Sequence, residues 1–514
     1  MKNSKIFENL IVLDIANNHY GSIGHAKKII DQFGKIIKKY KINSTFKFQF
    51  RDLDTFIHKD FKNSDEKYVK RFMSTRLSLK EFSIINRYIK NKKIKSACTP
   101  FDEKSIEAVE KLKFDYLKIA SVSALDFSLH ERAIKNKIPK IISTGGLNLS
   151  EIDKIVSFYI KKNQIFALMH CIAIYPSKNS DLQISFIKNL KERYRGVPIG
   201  WSTHEDPNEM NPATLAYACG AKIFEKHIGI NSRKYGLNNY SITPSNFERW
   251  YQNFISSKEI LGTYEKTIHK EETLTLNKLQ RGIYAKKDLK KGEILDKKNT
   301  YFAFPLQKNQ LASTNFKVKS SLKVNVKKDA PIKHLTIKHD KENYQKNLIY
   351  SYLHKLKAML NYNSITLGQK LDLEISHHKG IENFEKVGCF LFNIINEEYA
   401  KKLLVMLPNQ SHPVHHHKLK KETFLIISGS INLNYNGKKF ILVSGDVFHI
   451  ERNSWHKFKA GKNGCIFEEI STTSFKSDSY YKSIKIKALG RDKRKTYINN
   501  WFSIKSSLGN VGKK

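Results

Sequence analysis

Eight short apolar runs, each followed by a segment with helical periodicity, fill the first half of the chain and restrict its fold more than any other feature. They lie at 11–16, 44–50, 95–101, 115–121, 139–146, 166–176, 197–202 and 221–228. Strand and helix alternating eight times over about 250 residues predicts a closed parallel (β/α)8 TIM barrel. An open doubly wound sheet needs a glycine-rich phosphate turn after its first strand. The segment IVLDIANNHYG contains none.

In such a barrel the chemistry sits at the C-terminal ends of the strands. The polar residues there are Asp14, Asn17, Asn18 and His19; Lys47 and Gln49; Thr99; Lys118 and Ser121; Ser143 and Thr144; Tyr175; Ser202 and His204; Glu225 and His227. Side chains alternate faces along a strand, so Ser202 shares a face with His204, and Glu225 with His227. Two imidazoles meeting at the ends of neighbouring strands, beside a carboxylate and a hydroxyl, can hold a divalent metal with positions open to a substrate oxygen. A buried lysine without a partner is costly. Lys47 and Lys118 therefore point to a bound anion, and the hydroxyls of Thr99, Ser121, Ser143 and Ser202 suit phosphate or carboxylate oxygens.

The 514-residue chain carries 91 Lys+Arg against 48 Asp+Glu, a formal charge of +43. The lysines are spread through nearly every helical segment and form no arginine-rich tail or aromatic-interleaved patch. The excess is expected to be solvated surface, with no nucleic-acid partner. Five scattered cysteines without paired spacing fit a reducing, cytoplasmic compartment. No apolar run is long enough for a membrane span, and no signal core is expected.

The pieces DIANNHYG, KFQ, TPFDEKSIE, YLKIAS, STGG, HCIAIYP, GWSTHE and FEKHI resemble, in order and spacing, the sialic acid synthase family, whose members join phosphoenolpyruvate to an N-acylated amino sugar. The resemblance covers about residues 8–260, within an expected barrel domain of residues 1–265. It continues in RGIYAKKDLKKGEILDKKNTYFAFP, which looks like the small antifreeze-like (SAF) domain of that family, here 266–338. It implies a manganese or magnesium ion on His204 and His227. It also implies phosphoenolpyruvate on Lys47, Thr99, Lys118, Ser121, Ser143 and Ser202, with Gln49, Tyr175 and Glu225 towards the sugar. Asp14, Glu225 and Lys118 become the expected catalytic groups, and a domain-swapped homodimer the expected assembly. Departures fall on the sugar side. Asp14 stands for a glutamate, Thr203 for an aspartate, Ala173 for an asparagine and Phe304 for an arginine, while Asn238 and Asn239 stand near an acidic position that has no clear equivalent. They imply a changed acceptor.

After a lysine-rich connector or entry helix at 339–371, with a helix-like run at 348–360, residues 372–505 carry their own signature. His415 and His417, Glu422 and Gly429 have the spacing of the first cupin motif, and His456 follows at the distance of the second, where Glu451 and Asn453 replace the usual proline and glycine. Short strands between turns predict a small all-β barrel. Three histidines and a glutamate make a site for Mn, Fe, Zn or Ni. This segment resembles the D-lyxose isomerase type of cupin, which implies sugar binding or isomerisation, with Glu468 or Glu469 near the metal. The chain as a whole is expected to make a sialic-acid-like nonulosonate. The alternatives are a cupin isomerase with an accessory barrel, or a protein that only binds the sugar and phosphoenolpyruvate.

Overall fold

The structure is a computed structural model that describes residues 4–501 except 203, 317–319, 339–340, 369–370 and 500. Thr203 and the end of the expected cupin segment lie outside the described residues. The chain divides into two compact units, Met1–Lys266 and Thr267–Lys514.

The first unit is the expected barrel. Strands β1 (Leu10–Ala16), β2 (Ser44–Phe50), β3 (Lys95–Pro100), β4 (Tyr116–Ile119), β5 (Lys140–Ser143), β6 (Phe166–Cys171), β7 (Ile199–Ser202) and β8 (Ile223–His227) pair in order, and β8 closes on β1. The two-residue period sorts each strand. Ile11, Leu13 and Ile15 of β1 face outward against Ile29, Ile30 and Phe33 of the helix Ile23–Tyr40. Leu10 and Val12 face inward with Tyr116, Ile141, Ala167, Met169 and Ile223, floored by Phe7. This lower layer is so tight that a Cβ on Gly200 would lie 2.2 Å from Met169 Sδ. The next inward residues along the strands are polar, so the barrel is dry below and charged above. Caps start the outer helices. The Ser22 hydroxyl accepts from the His25 N–H, and Ser78 with Glu81 forms a capping box ahead of Leu79–Asn91.

In the second unit, Gly282–Ala285 pairs antiparallel with Thr300–Ala303 over a small core that includes Ile283, Leu289, Leu295, Leu311 and Ile332. Phe304 follows the second of these strands and is 61 % exposed. The C-terminal part is a curved antiparallel sheet of ten strands, among them Leu373–Ser376, Cys389–Asn396, Tyr399–Met406, Glu422–Tyr435 and His456–Thr472. The segment expected as a connector contains the helix Lys341–Tyr362. That helix buries Ile349, Tyr352, Leu353, Leu356 and Leu360 in one cluster with Leu373, Ile375, Phe390 and Phe392. It is therefore a core element of the β part. Asn453, where the motif favours glycine, takes φ 60°, a conformation glycine adopts freely and asparagine tolerates. Gly429 is at φ 78° and faces the Gly464 carbonyl, which a Cβ would meet at 2.2 Å. Among the described residues no helix is long and apolar enough to cross a membrane.

Candidate active site and metal centre

The upper barrel layer is a chain of alternating charges. Asp14 is in register with Lys47 on one side and His227 on the other, and Glu225 is paired to Ser202. Lys47 Nζ lies 2.9 Å from Asp14 Oδ2 and 3.2 Å from Glu225 Oε1. Lys118 Nζ donates to Glu225 Oε2 at 2.7 Å, and the Ser202 hydroxyl donates to Glu225 Oε1 at 3.0 Å. All of these side chains are buried. Asp14 is fixed further by a bulge. The strand shifts register between Asp14 and Ala16, Ala16 takes φ 46°, and its N–H donates to Asp14 Oδ1 at 2.9 Å.

Burial penalises every charge here, and pairing decides the outcome. Burial pushes Lys47 down, but Asp14 and then Glu225 outweigh it and hold its pKa above the usual lysine value. For Lys118 burial and the Lys47 charge outweigh Glu225, and its pKa falls. Glu225 is held below the usual carboxylate range despite burial, by Lys118 and then Lys47.

Beside this chain stand the two histidines. The His204 and His227 rings are 5.0 Å apart, and His227 Nε2 is 3.4 Å from Asp14 Oδ2. His204 Nδ1 is 3.2 Å from the Ile172 carbonyl, which fixes the ring. Burial, and then His227, lower the His204 pKa to about 3, so it is a neutral ligand-type imidazole at pH 7. Tyr175 packs on His204 at 4.0 Å. Tyr240, which the sequence reading did not single out, touches both rings at 5.4 and 5.2 Å. Thr99 is buried with its hydroxyl unpartnered, Ser143 is buried at the end of β5, and the Ser121 hydroxyl accepts from the Gly145 N–H at 3.1 Å. Gln49 accepts from Arg51 instead of reaching the charged chain. Asn238 meets Asn18.

The second constellation lies in the β part. His415, His417 and His456 bring one nitrogen each within 4.8 Å of one another. Backbone carbonyls hold the Nδ1 atoms: Pro413 that of His415 at 3.0 Å, Asp478 that of His417, and Ser454 that of His456 at 3.0 Å. Each ring is thereby fixed with Nε2 turned inward, and the Nε2 atoms of His415 and His456 come within 3.0 Å of each other. Glu422 lies 3.4 Å from His417 Nε2 and 3.4 Å from His456 Nε2, and its Oε2 has no hydrogen-bond donor. Burial lowers the His417 pKa to about 4 against the pull of Glu422, and that of His415 well below normal. This donor set fits a divalent metal.

The site opens on a cavity of about 280 Å³ lined also by Lys402, Lys420, Glu469 and Tyr481. Lys420 pairs with Glu422, and Lys402 and Lys420 each lie 2.8 Å from Glu469 Oε1. Of the two glutamates expected here, Glu469 faces the cavity, while Glu468 pairs outside it with Lys401 at 2.8 Å.

Comparison with known proteins agrees with this architecture. Residues 38–266 match the NeuB family and residues 402–466 the cupin domain. A spore coat polysaccharide biosynthesis protein E of Chromobacterium violaceum is 37 % identical, over 65 % of this chain and 100 % of that one, with a TM-score of 0.61. N,N'-diacetyllegionaminic acid synthase of Campylobacter jejuni is 26 % identical over 57 % of this chain and 89 % of its own length. Human N-acetylneuraminate-9-phosphate synthase is 25 % identical over 55 % and 80 %. Fold and site define a sialic acid synthase-like transferase barrel with a cupin joined to it. The chain belongs to the NeuB family.

Proposed function

We propose that the barrel condenses phosphoenolpyruvate with an N-acylated amino sugar to give a sialic-acid-like nonulosonate and phosphate, as a step in making surface polysaccharide. The observation that carries this reading is the buried chain Asp14, Lys47, Glu225, Lys118 beside His204 and His227. Two fixed ammonium groups match a substrate with a carboxylate and a phosphate, and the free Thr99 hydroxyl offers a further donor. A manganese or magnesium ion on His204 and His227 would polarise the acceptor's aldehyde. C3 of phosphoenolpyruvate then bonds to the aldehyde carbon, water adds at C2, and phosphate leaves. Lys47 and Lys118 stabilise the charge that gathers on the departing phosphate. Glu225 holds both lysines in place, and Asp14 orients Lys47 and His227.

Asp14 is the position where a shorter carboxylate alters the sugar side. Asp14→Glu is expected to raise turnover with N-acetylmannosamine relative to the native acceptor, because the longer arm reaches past Lys47. His227→Ala is expected to lower phosphate release with every acceptor by at least ~100-fold. Phosphate release with manganese across a panel of N-acyl hexosamines checks both. Sugar-dependent release in the wild type that survives His227→Ala would refute the assignment of that residue.

For the cupin we propose a Mn, Fe, Zn or Ni site on His415, His417, Glu422 and His456 that takes a sugar, on the strength of the three inward nitrogens and the adjoining cavity. The proposed segments are the barrel 1–265, the antifreeze-like domain 266–338 and the cupin from 372. We take the enzyme to be a cytoplasmic, domain-swapped homodimer in which the exposed Phe304 serves the partner's barrel.

A further inference from the structure

The inner face of the β part carries more charge than a structural core needs. Inward positions on neighbouring strands bring Glu374, Lys402, Glu469 and Lys495 to the wall of the cavity beside the cupin histidines. Register sets them there. Lys402 is paired directly with Glu469, and Lys495 is opposite Ser376, which lies two residues from Glu374 on the same face. None of the four belongs to the metal-ligand set.

Their charges do not balance. Apart from Glu422, two carboxylates line the cavity among the described residues, and each is shared by two cations. Glu469 Oε1 accepts from Lys402 and from Lys420, both at 2.8 Å. Glu374 pairs with Lys495, and at 3.4 Å with Arg491. The side chains of Lys402 and Lys495 are each 12 % exposed, so water screens them little. Lys420 has a second anion in Glu422, but a metal on that carboxylate takes up its charge. Burial lowers the Lys495 pKa even against Glu374, and Arg491 lowers it further. A structural ion pair needs one cation for each carboxylate, and a buried excess of one sign is costly unless a further anion joins it.

Both groups face one space. The buried Cys389 thiol is close enough to Glu374, Lys495, Glu469 and Lys402 that each acts on its ionisation. The cavity, about 280 Å³, is near the lower bound of small-molecule sites, roughly 300–1,000 Å³. Phe424, Phe458 and Tyr481 also line it and offer apolar faces to the C–H groups of a ring. An inorganic ion would use only the cations. A sugar ring that bears a carboxylate uses both.

Building on the reading of the cupin as a metal site that takes a sugar, we propose that its occupant is a sugar acid, a polyhydroxylated carboxylate whose charge lies between Lys402 and Lys495 while its hydroxyls turn towards the histidines. The ligand supplies the negative charge that Glu469 and Glu374 cannot give to both of their cations. A hexuronate and a nonulosonate share this chemistry, and the second is the product proposed for the barrel.

Calorimetric titration of the manganese-loaded full chain compares matched pairs, glucuronate with glucose and N-acetylneuraminate with its methyl ester, and adds inorganic phosphate as an ion without a ring. At least one acid is expected to bind about 10- to 100-fold more tightly than its neutral counterpart, the worth of a charge-assisted hydrogen bond. The pair that shows the preference tells a hexuronate from a nonulosonate. Lys402→Gln is expected to abolish the preference without lowering the melting temperature, because Glu469 keeps Lys420. Lys495→Gln, in which Glu374 keeps Arg491, is expected to weaken it in the same way. Neither variant alters a barrel residue, so the binding they remove belongs to the cupin. Acids that bind no better than their neutral counterparts, phosphate that binds as tightly as the acids, or lysine variants that lose stability and keep the preference overturn the proposal. His417→Ala separates this from the underlying reading. Acid binding that falls with the lysines and not with this histidine would uphold the acid site and remove the metal from it, whereas neutral sugars that depend on His417 with no preference for acids would uphold the metal-held sugar and overturn the acid.

Discussion

Glu225→Gln is expected to destabilise the barrel by about 3–5 kcal/mol and to lower turnover at least ~100-fold. Glu225 is the point where β2, β4, β7 and β8 meet through side chains, since Lys47, Lys118 and Ser202 all bond to its carboxylate. The amide keeps the shape and removes the charge. Lys47 then has only Asp14, and Lys118 faces Lys47 with no carboxylate between them. Two ammonium groups whose side chains are 5 % and 3 % exposed are left sharing one carboxylate, so one is uncompensated. Urea unfolding reads the first effect and phosphate release the second. Glu225→Asp separates charge from reach, because it retains the carboxylate and should recover most of the stability while leaving the Lys118 contact stretched. A Glu225→Gln protein as stable and as active as wild type would show that the two lysines do not depend on this carboxylate.

The second large effect is expected in the cupin. His417→Ala should reduce the affinity for its metal by more than ~100-fold, since changes merely behind a ligand already cost 10- to 100-fold. His417 is held between the Asp478 carbonyl at Nδ1 and Glu422 near Nε2. Lys420 would then keep Glu422 without a competing cation. Metal content after gel filtration, measured on the full chain and on His417→Ala, checks this. The barrel histidines give the internal control, because His227→Ala should leave the cupin metal in place. Unchanged metal content in His417→Ala would remove this histidine from the ligand set.

Much of this site is written in local pattern, and the rest depends on closure of the barrel. In β1 the series Leu10, Val12, Asp14 passes from apolar to charged on one face, as Tyr116 to Lys118 does in β4 and Ile223 to Glu225 in β8, so both the strands and the location of their polar ends are legible in sequence. The part played by Glu225 is not. Sequence resemblance set it towards the sugar; its bonds to Lys47 and Lys118 are a relation between β2, β4 and β8 that exists only once the sheet has closed. Tyr240 had no signal, standing in an irregular loop whose path no periodicity describes. In the cupin, spacing alone found His415, His417, Glu422 and His456. Choosing Glu469 over Glu468 required the strand register, which turns one into the cavity and the other to Lys401. The helix Lys341–Tyr362 covers the helix-like run expected at 348–360; what the lysine-rich sequence hid is the buried stripe Ile349, Leu353, Leu356 and Leu360, which makes it a core element instead of a connector or entry helix.

The central claim is that the barrel forms a carbon–carbon bond between phosphoenolpyruvate and an aldehyde. The most direct test uses phosphoenolpyruvate labelled with carbon-13 at C3 and an N-acyl hexosamine labelled with carbon-13 at C1, incubated with the manganese-loaded enzyme and followed by NMR. A one-bond carbon–carbon coupling between the two labels is expected in a single product, appearing as phosphate is released and absent with His227→Ala. Phosphate release accompanied only by labelled pyruvate, with the sugar's carbon uncoupled, would contradict it and leave the barrel a phosphatase of phosphoenolpyruvate.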